Sequence, residues 1–413
     1  MVTCLGLDVE ESWQKALRGT SGIHGITYPQ SDASPLHAGG EVSASDWRKI
    51  EAEFPEEAER EGERKTLFGL WAAKRALEDA GLLGGMEPRP RHGVVLASGI
   101  GINRLEDIQR WMDGDRRFNM VRFGRECCRT HPESIIRNHS NRSAALISRR
   151  FGFLGMNATV TSACASGTQA VGIGYRAIQR HEADVVVVGG ADSMIHPVGL
   201  VFFVLLGAAC TSRDRPETVC RPFDRKRSGL VMGEGAGVVI LEEASHALAR
   251  GARIYAEVAG YGASLDAYQM TSPHPQGRGA EQAMRAALKD AGLAPEGIDY
   301  VNAHGTSTKL NDQVETATLK KVFGAHAHRL AISSTKPLIG HLLAASGAPE
   351  FIFTVLTVER DEIHPTLNLT HPDPKCDLDY VPGVKRTGVV RAALSNSFGV
   401  GGQKGSIIVK KYP

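Results

Sequence analysis

Residues 157–170, Asn-Ala-Thr-Val-Thr-Ser-Ala-Cys-Ala-Ser-Gly-Thr-Gln-Ala, constrain the fold more than any other stretch of the chain. The β-branched Thr159, Val160 and Thr161 predict a strand. Within two residues the composition shifts to the small Ala163, Ala165, Ser166 and Gly167, and then to the apolar spacing of Ala170, Val171, Ile173 and Ala177. A strand, a tight turn and a helix therefore follow one another directly, with Cys164 in the turn. A cysteine at a helix N-terminus meets the positive end of the macrodipole and backbone N–H groups without intrahelical partners. Both favour a thiolate, and the same N–H groups suit an oxyanion formed on a thioester or ester. A lone cysteine is more often a small buried hydrophobe. The residues downstream decide between the two.

The chain of 413 residues has room for two packed domains. Its net charge of +2 gives no reason to expect non-specific nucleic-acid binding. No run reaches the ~18 apolar residues of a membrane span, and the N-terminus lacks the basic and apolar regions of a secretory signal. Seven cysteines without a Cys-x-x-Cys pair fit reduced thiols in a cytoplasm.

Read in order, Asp8 caps an early helix, Ser45–Glu61 forms a solvated acidic helical face, and 64–80 is helical. His92–Ser98 is a buried strand, and 135–151 looks helical before the cysteine strand. Asp184-Val-Val-Val-Val-Gly-Gly190 is a strand covered on both faces. The glycines at 229–237 precede a strand rather than joining a strand to a helix, which argues against a nucleotide loop. Strands at 254–260, 298–303, 330–333 and 392–394 then alternate with helices at 279–291, 313–323 and 347–358. Two successive α/β halves, cut near 255, suggest an internal duplication: 1–255 with the cysteine and 256–413 with the histidines.

Three further stretches carry chemistry. Val301-Asn-Ala-His-Gly-Thr-Ser-Thr308 places His304 just after a strand. Ser334-Thr-Lys-Pro-Leu-Ile-Gly-His-Leu342 sets Lys336 and His341 around a bend. Ser395-Asn-Ser-Phe-Gly-Val-Gly-Gly402 is a loop whose glycines permit close backbone approach. A Cys–His pair also suits a hydrolase, and Cys/His clusters suit zinc, although no ligand pair here has the usual short spacing. Thioester chemistry fits best: one residue carries an acyl group while two neutral imidazoles stabilise an enolate.

These four ordered motifs resemble those of the β-ketoacyl-acyl carrier protein synthases, in the type II elongating branch of the thiolase superfamily, over nearly the full chain. The resemblance implies a thiolase-type fold of two similar halves, each a five-stranded sheet between helices, in a five-layered αβαβα sandwich. It implies Cys164 as nucleophile for the acyl chain, with His304 and His341 driving malonyl decarboxylation. Lys336 would tune both histidines, with Asp312 and Glu315 pairing with it. Thr306 and Thr308 would bind the pantetheine arm, and Phe398 and Val400 the substrate, while the N–H groups of Cys164 and Val400 form an oxyanion hole. No cofactor is required beyond the phosphopantetheine of the acyl carrier protein. A monovalent cation is implied near Asn302, Glu350, Ser395 and Asn396. The implied partners are an acidic carrier, docking on Arg64, Lys65 and arginines between Arg104 and Arg129, and a second subunit, identical or related.

The chain also departs from that family. The usual opening strand would end just before Met1, so the first sheet is expected to lack an edge or the start to lie upstream. Val400 replaces a phenylalanine, which suggests relaxed gating of the acyl chain. The segment 116–141 is more basic and polar than the apolar stretch expected, with His131, Glu133, Asn138, His139 and Asn141. Gln403-Lys404 replaces Thr-Asn. These differences favour a specialised fatty-acid or polyketide pathway over housekeeping elongation. A biosynthetic thiolase would need a second cysteine where Asn396-Ser-Phe-Gly stands, and a type III synthase would have asparagine in place of His341. A non-catalytic chain-length-determining subunit would have lost Cys164.

Overall fold

The structure is a computed structural model describing residues 1–27, 34–84, 88–101, 109–129 and 139–413. Two small ribbons stand apart from the sheets: β1 (His24–Gly25) with β2 (Ala38–Gly39), and β10 (Glu362–Ile363) with β11 (Arg386–Thr387). One sheet contains β3 (His92–Ser98), β4 (Asn157–Val160), β5 (Val185–Asp192) and β6 (Gly235–Glu242), in the order β4-β3-β5-β6. The other contains β7 (Glu257–Leu265), β8 (Tyr300–Asn302), β9 (Ala331–Ser333), β12 (Ala392–Phe398) and β13 (Gln403–Lys410), in the order β7-β13-β12-β8-β9.

The two sheets share a pattern of directions. In the first, β4, β3 and β5 are parallel and β6 is antiparallel to β5. In the second, β9, β8 and β12 are parallel, β13 is antiparallel to β12, and β7 is antiparallel to β13. The expectation of five strands per sheet is corrected for the first. Among the described residues it has four, and the outer edge of β6 carries a single antiparallel bridge, Val2 to Ala236.

Alternating strand residues bury both faces. In β3, Val94 and Leu96 join Leu67, Leu70 and Leu77 of the Arg64–Asp79 helix. Val95 and Ala97 face the other way, towards Ala170, Val171, Phe351 and Ile407. Beyond the second sheet, Met284, Leu288, Leu319 and Val322 cover Val301, Ile332, Leu394 and Ile408. The helices Ser166–Gln179 and Gly347–Arg360 touch both sheets and form the middle layer. Helix, sheet, helix, sheet and helix thus stack in five layers.

Small residues make that middle layer possible. A Cβ on Gly167 would stand 2.8 Å from the Ala348 nitrogen, and one on Gly347 would stand 2.6 Å from the Thr168 nitrogen. The small residues after Cys164 therefore also serve helix packing.

Several boundaries differ from the sequence reading. Ser395, Asn396 and Ser397 belong to β12 and are wholly buried, although their polarity suggests a loop. Partners satisfy two of them: Ser397 Oγ lies 2.8 Å from Thr168 Oγ1, and Asn396 Oδ1 accepts from Ser406 Oγ at 2.7 Å. β13 follows directly and was not anticipated. The helix expected from 135 begins at Arg142, and residues 130–138, with His131, Glu133 and Asn138, lie outside the described residues. Replacing Gly167 by valine should force the two middle helices apart and lower stability by about 1–3 kcal/mol, the usual range for overpacking. The midpoint of urea unfolding, against a Gly114→Ala control with nothing near its Cβ position, reads the effect.

Candidate active site

Chemistry-bearing residues collect where strands end, as in open α/β sheets generally. Cys164 follows β4, in a turn where Ala163 takes φ 50°, a left-handed conformation that costs a residue with a side chain about 1–3 kcal/mol. Ser166 holds the turn: its Oγ accepts the Ser162 N–H at 2.7 Å and donates to the Ala163 carbonyl at 2.6 Å. His304 follows β8, Lys336 follows β9, and Phe398 ends β12. His341 stands past the turn at Gly340, its N–H donating to the Val231 carbonyl at 2.7 Å.

One cavity of about 710 Å³ is lined by Cys164, His304, His341, Thr306, Thr308, Phe398 and Val400. The two imidazoles meet edge to face with centroids 5.4 Å apart, and His304 lies 5.6 Å from the Phe398 ring. Thr306 and Thr308 share a hydrogen bond of 2.9 Å between their hydroxyls. Gly399 permits the closest contact: a Cβ there would sit 2.9 Å from the Ser162 carbonyl oxygen and 3.4 Å from the Cys164 nitrogen.

Burial sets the proton states. It pushes the Cys164 thiol up to about 11, against the Val400 N–H at the sulfur and the Lys336 charge. The helix terminus therefore does not yield a resting thiolate; desolvation wins. Burial, with Lys336 nearby, holds both imidazoles well below the ordinary histidine value, and both are neutral at pH 7. His341 Nδ1 accepts the Leu343 N–H at 3.1 Å, which fixes the ring proton on Nε2. That Nε2 has no protein partner and is a donor left for substrate.

Lys336 does not pair with Asp312 or Glu315. Its ammonium donates to the His304 carbonyl at 2.7 Å and forms an ion pair with Glu350. Glu315 instead accepts the N–H groups of His304 and Gly305, each at 2.9 Å, and so fixes the histidine turn. Asp312 accepts the Phe223 N–H at 2.9 Å and pairs with buried Arg227 at 3.3 Å. Burial raises Asp312 to about 6 and Glu315 to about 7.

Of the four residues expected at a cation site, three share one feature. Both polar side-chain atoms of Asn302, Oε2 of Glu350 and Oγ of Ser395 are buried without partners, and Ser395 stands opposite Asn302 in the ladder. The Asn396 side chain is committed to Ser406 and Glu315.

The expected docking residues Arg64 and Lys65 both have internal partners. Arg64 binds Glu234 and the Val42 carbonyl and stacks on Trp47, while Lys65 is buried beside Glu63. Arg116, Arg117, Arg122 and Arg125 are exposed, but none lines the cavity; Arg104 lies outside the described residues. The sequence reading missed a different basic group. Arg225, Lys226 and Lys309 are exposed and line the cavity mouth. Arg227 positions them, because its buried guanidinium binds the Asp224, Thr308 and Lys309 carbonyls. The run Asp-Arg-Lys-Arg at 224–227 was the available signal.

Residues 1–247 match the family "Beta-ketoacyl synthase, N-terminal domain", and residues 255–370 match "Beta-ketoacyl synthase, C-terminal domain". The 3-oxoacyl-acyl-carrier-protein synthase 2 of Synechocystis is 40% identical over 100% of this chain and 96% of its own length. That of Coxiella burnetii is 37% identical over 100% and 96%. Among solved structures, a type II polyketide ketosynthase in complex with its acyl-carrier protein superposes with a TM-score of 0.88, at 30% identity over 100% of this chain and 97% of the other. The ishigamide ketosynthase/chain length factor gives 0.85 at 32% identity, with the same coverage. With Cys164 and two neutral imidazoles on one cavity and a thiolase-type fold, the chain belongs to the beta-ketoacyl synthase family of condensing acyltransferases.

Proposed function

We propose that Cys164, His304 and His341 carry out a decarboxylative Claisen condensation between an acyl group held on Cys164 and a malonyl-carrier thioester. The shared cavity supports this reading most, because it brings one thiol and two uncharged rings together from separate parts of the chain. His341 is committed as a donor, so His304 takes the thiol proton as the sulfur attacks the acyl thioester and returns it to the departing pantetheine thiol. In the second half, carbon dioxide leaves malonyl, and the freed electron pair moves into the thioester carbonyl. N–H donors on the two rings hold the resulting enolate oxygen. Its carbon attacks the acyl-Cys164 carbonyl, whose oxyanion meets the N–H groups of Cys164 and Val400. The sulfur then leaves as a thiolate and takes a proton from solvent, which restores the thiol.

Thr306 and Thr308 line the route of the pantetheine arm. Lys336 and Glu350, a buried pair beneath His304, keep positive charge near the rings and disfavour their protonation. The unpartnered atoms of Asn302, Glu350 and Ser395 suit a monovalent cation, which would supply a further fixed charge behind Lys336. Two halves meeting near residue 255 supply the nucleophile and the histidines respectively. Branched Val400 at the cavity leaves more room than an aromatic side chain, which supports a specialised pathway; the mass of wild-type acyl-enzyme formed from a panel of acyl carriers reads the chain. Seven free cysteines fit a reducing cytoplasm, and among the described residues no helix is long and apolar enough to cross a membrane.

An acyl carrier protein delivers the substrates, and Arg225, Lys226 and Lys309 form its docking rim. The Pro55–Glu61 helix, with Glu56, Glu57 and Glu59, would instead repel an acidic partner. A second subunit, identical or related, pairs along β4, an edge strand whose other side has no strand beside it among the described residues. Exposed Val198, Val201, Phe202 and Leu205 on the Pro197–Leu205 helix add apolar surface for it.

Cys164→Ala should abolish condensation yet retain malonyl-carrier decarboxylation. Because both rings stay neutral, that residual rate should hold from pH 7.5 to 6; loss of neither activity in the variant refutes the assignment. Charge reversal at Arg225, Lys226 and Lys309 together should raise KM for acyl carrier about tenfold or more, roughly 1.4 kcal/mol, while a carrier-free acyl-pantetheine thioester reacts as before. Sedimentation of the purified chain should give twice the monomer mass; a monomer alone points to a missing related subunit.

A further inference from the structure

Asp266 and Lys404 form an interior charge pair at the cavity wall that neither half of the reaction uses. Lys404 is the second residue of β13 and is 3% exposed. Its ammonium stands 2.8 Å from Asp266 Oδ2, and the Asp266 side chain is fully buried. Both residues line the same cavity as Cys164.

Asp266 gathers a segment around itself. Its carboxylate accepts the Gly279 N–H at 3.1 Å and the His274 N–H at 3.2 Å, which fixes the chain from 266 to the start of the Arg278–Ala291 helix. Its own N–H donates to the Gly402 carbonyl at 2.9 Å, and the Gly401 N–H donates to the Met270 carbonyl at 2.6 Å. The loop 399–402 therefore rests on the 266–277 segment. Lys404 lies on the loop's other side, opposite Phe398 in the ladder, with its ammonium 5.6 Å above the Phe398 ring.

Between these fixed points lies Val400, whose N–H reaches the Cys164 sulfur. Gly401 and Gly402 take φ of 94° and 93°, so the backbone on the C-terminal side of Val400 has the conformational freedom of glycine. Hydrogen bonds of a glycine loop alone would leave such a donor loosely aimed. A buried ion pair is the strongest constraint available there, since separating its partners would strand a charge in the interior.

We propose that Lys404 is a positioning residue for acyl transfer: its ion pair with Asp266 clamps the glycine loop against the 266–277 segment and holds the Val400 N–H on the Cys164 sulfur and its oxyanion. This rests on the reading of Cys164 as the acyl-carrying nucleophile. It also accounts for a lysine at a place where bare packing would favour a neutral residue.

Single removal of Lys404 would leave a buried carboxylate, so the test removes both charges together in Lys404→Met/Asp266→Asn. Acylation of Cys164 by acyl carrier should slow about tenfold at saturating substrate, with KM within about twofold. Malonyl-carrier decarboxylation, which depends on the histidines, should keep its rate. Lys404→Arg preserves the pair and should keep acylation near the wild-type rate. Unchanged acylation in the double variant overturns the clamp, as does an equal fall in both reactions. Wild-type protein that performs neither reaction would instead overturn the condensing reading.

Discussion

The close crossing of the two middle helices governs the rest of the structure. Gly167 and Gly347 lie where any side chain would meet the opposite backbone. Their contact sets the distance between two sheets that come from different halves of the chain. It also places the N-terminus of the Ser166–Gln179 helix, with Cys164 before it, beside the Gly347–Arg360 helix, which carries Glu350. Cys164 thus meets residues more than a hundred positions downstream because two glycines leave room. Packing close to crystalline density makes that distance stiff.

Desolvation is the common cause behind the site's electrostatics. It holds a thiol protonated, keeps two imidazoles uncharged, and raises the nearby carboxylates Asp312, Glu315 and Glu350. Each buried acid is nevertheless given work: Glu315 holds the backbone of His304, Asp312 anchors Arg227, and Glu350 pairs with Lys336. A cavity whose rings are neutral, with His341 fixed as a donor, suits an enolate better than a charged acid would, because nothing must be reprotonated before the oxygen is held.

Much of this was legible in the sequence. The strand–turn–helix around Cys164, the strand at His92–Ser98 and the Gly-flanked histidines all follow from local composition and periodicity. Pairings across the chain were not legible. Lys336 finds Glu350 rather than Asp312 or Glu315 because strand ends, rather than sequence offsets, decide which carboxylate is near. Ser395, Asn396 and Ser397 resembled a loop because polarity signals exposure, yet partners from distant elements allow them inside β12. Arg64 and Lys65 resembled an interaction surface, but each pairs with a carboxylate of its own chain, Glu234 and Glu63. The basic group at the cavity mouth depends on Arg227, whose burial no charge pattern reveals.

Among the described residues, β4 leaves the outer edge of the first sheet unpaired. Only Thr161, Ser162 and Ala163 separate the end of β4 from Cys164. A neighbouring chain hydrogen-bonded along that edge would brace the strand that feeds the strained turn, and its departure would slacken the backbone just ahead of the sulfur. Quaternary assembly and nucleophile geometry would then be one mechanical unit, so that dilution alone acts as an off switch.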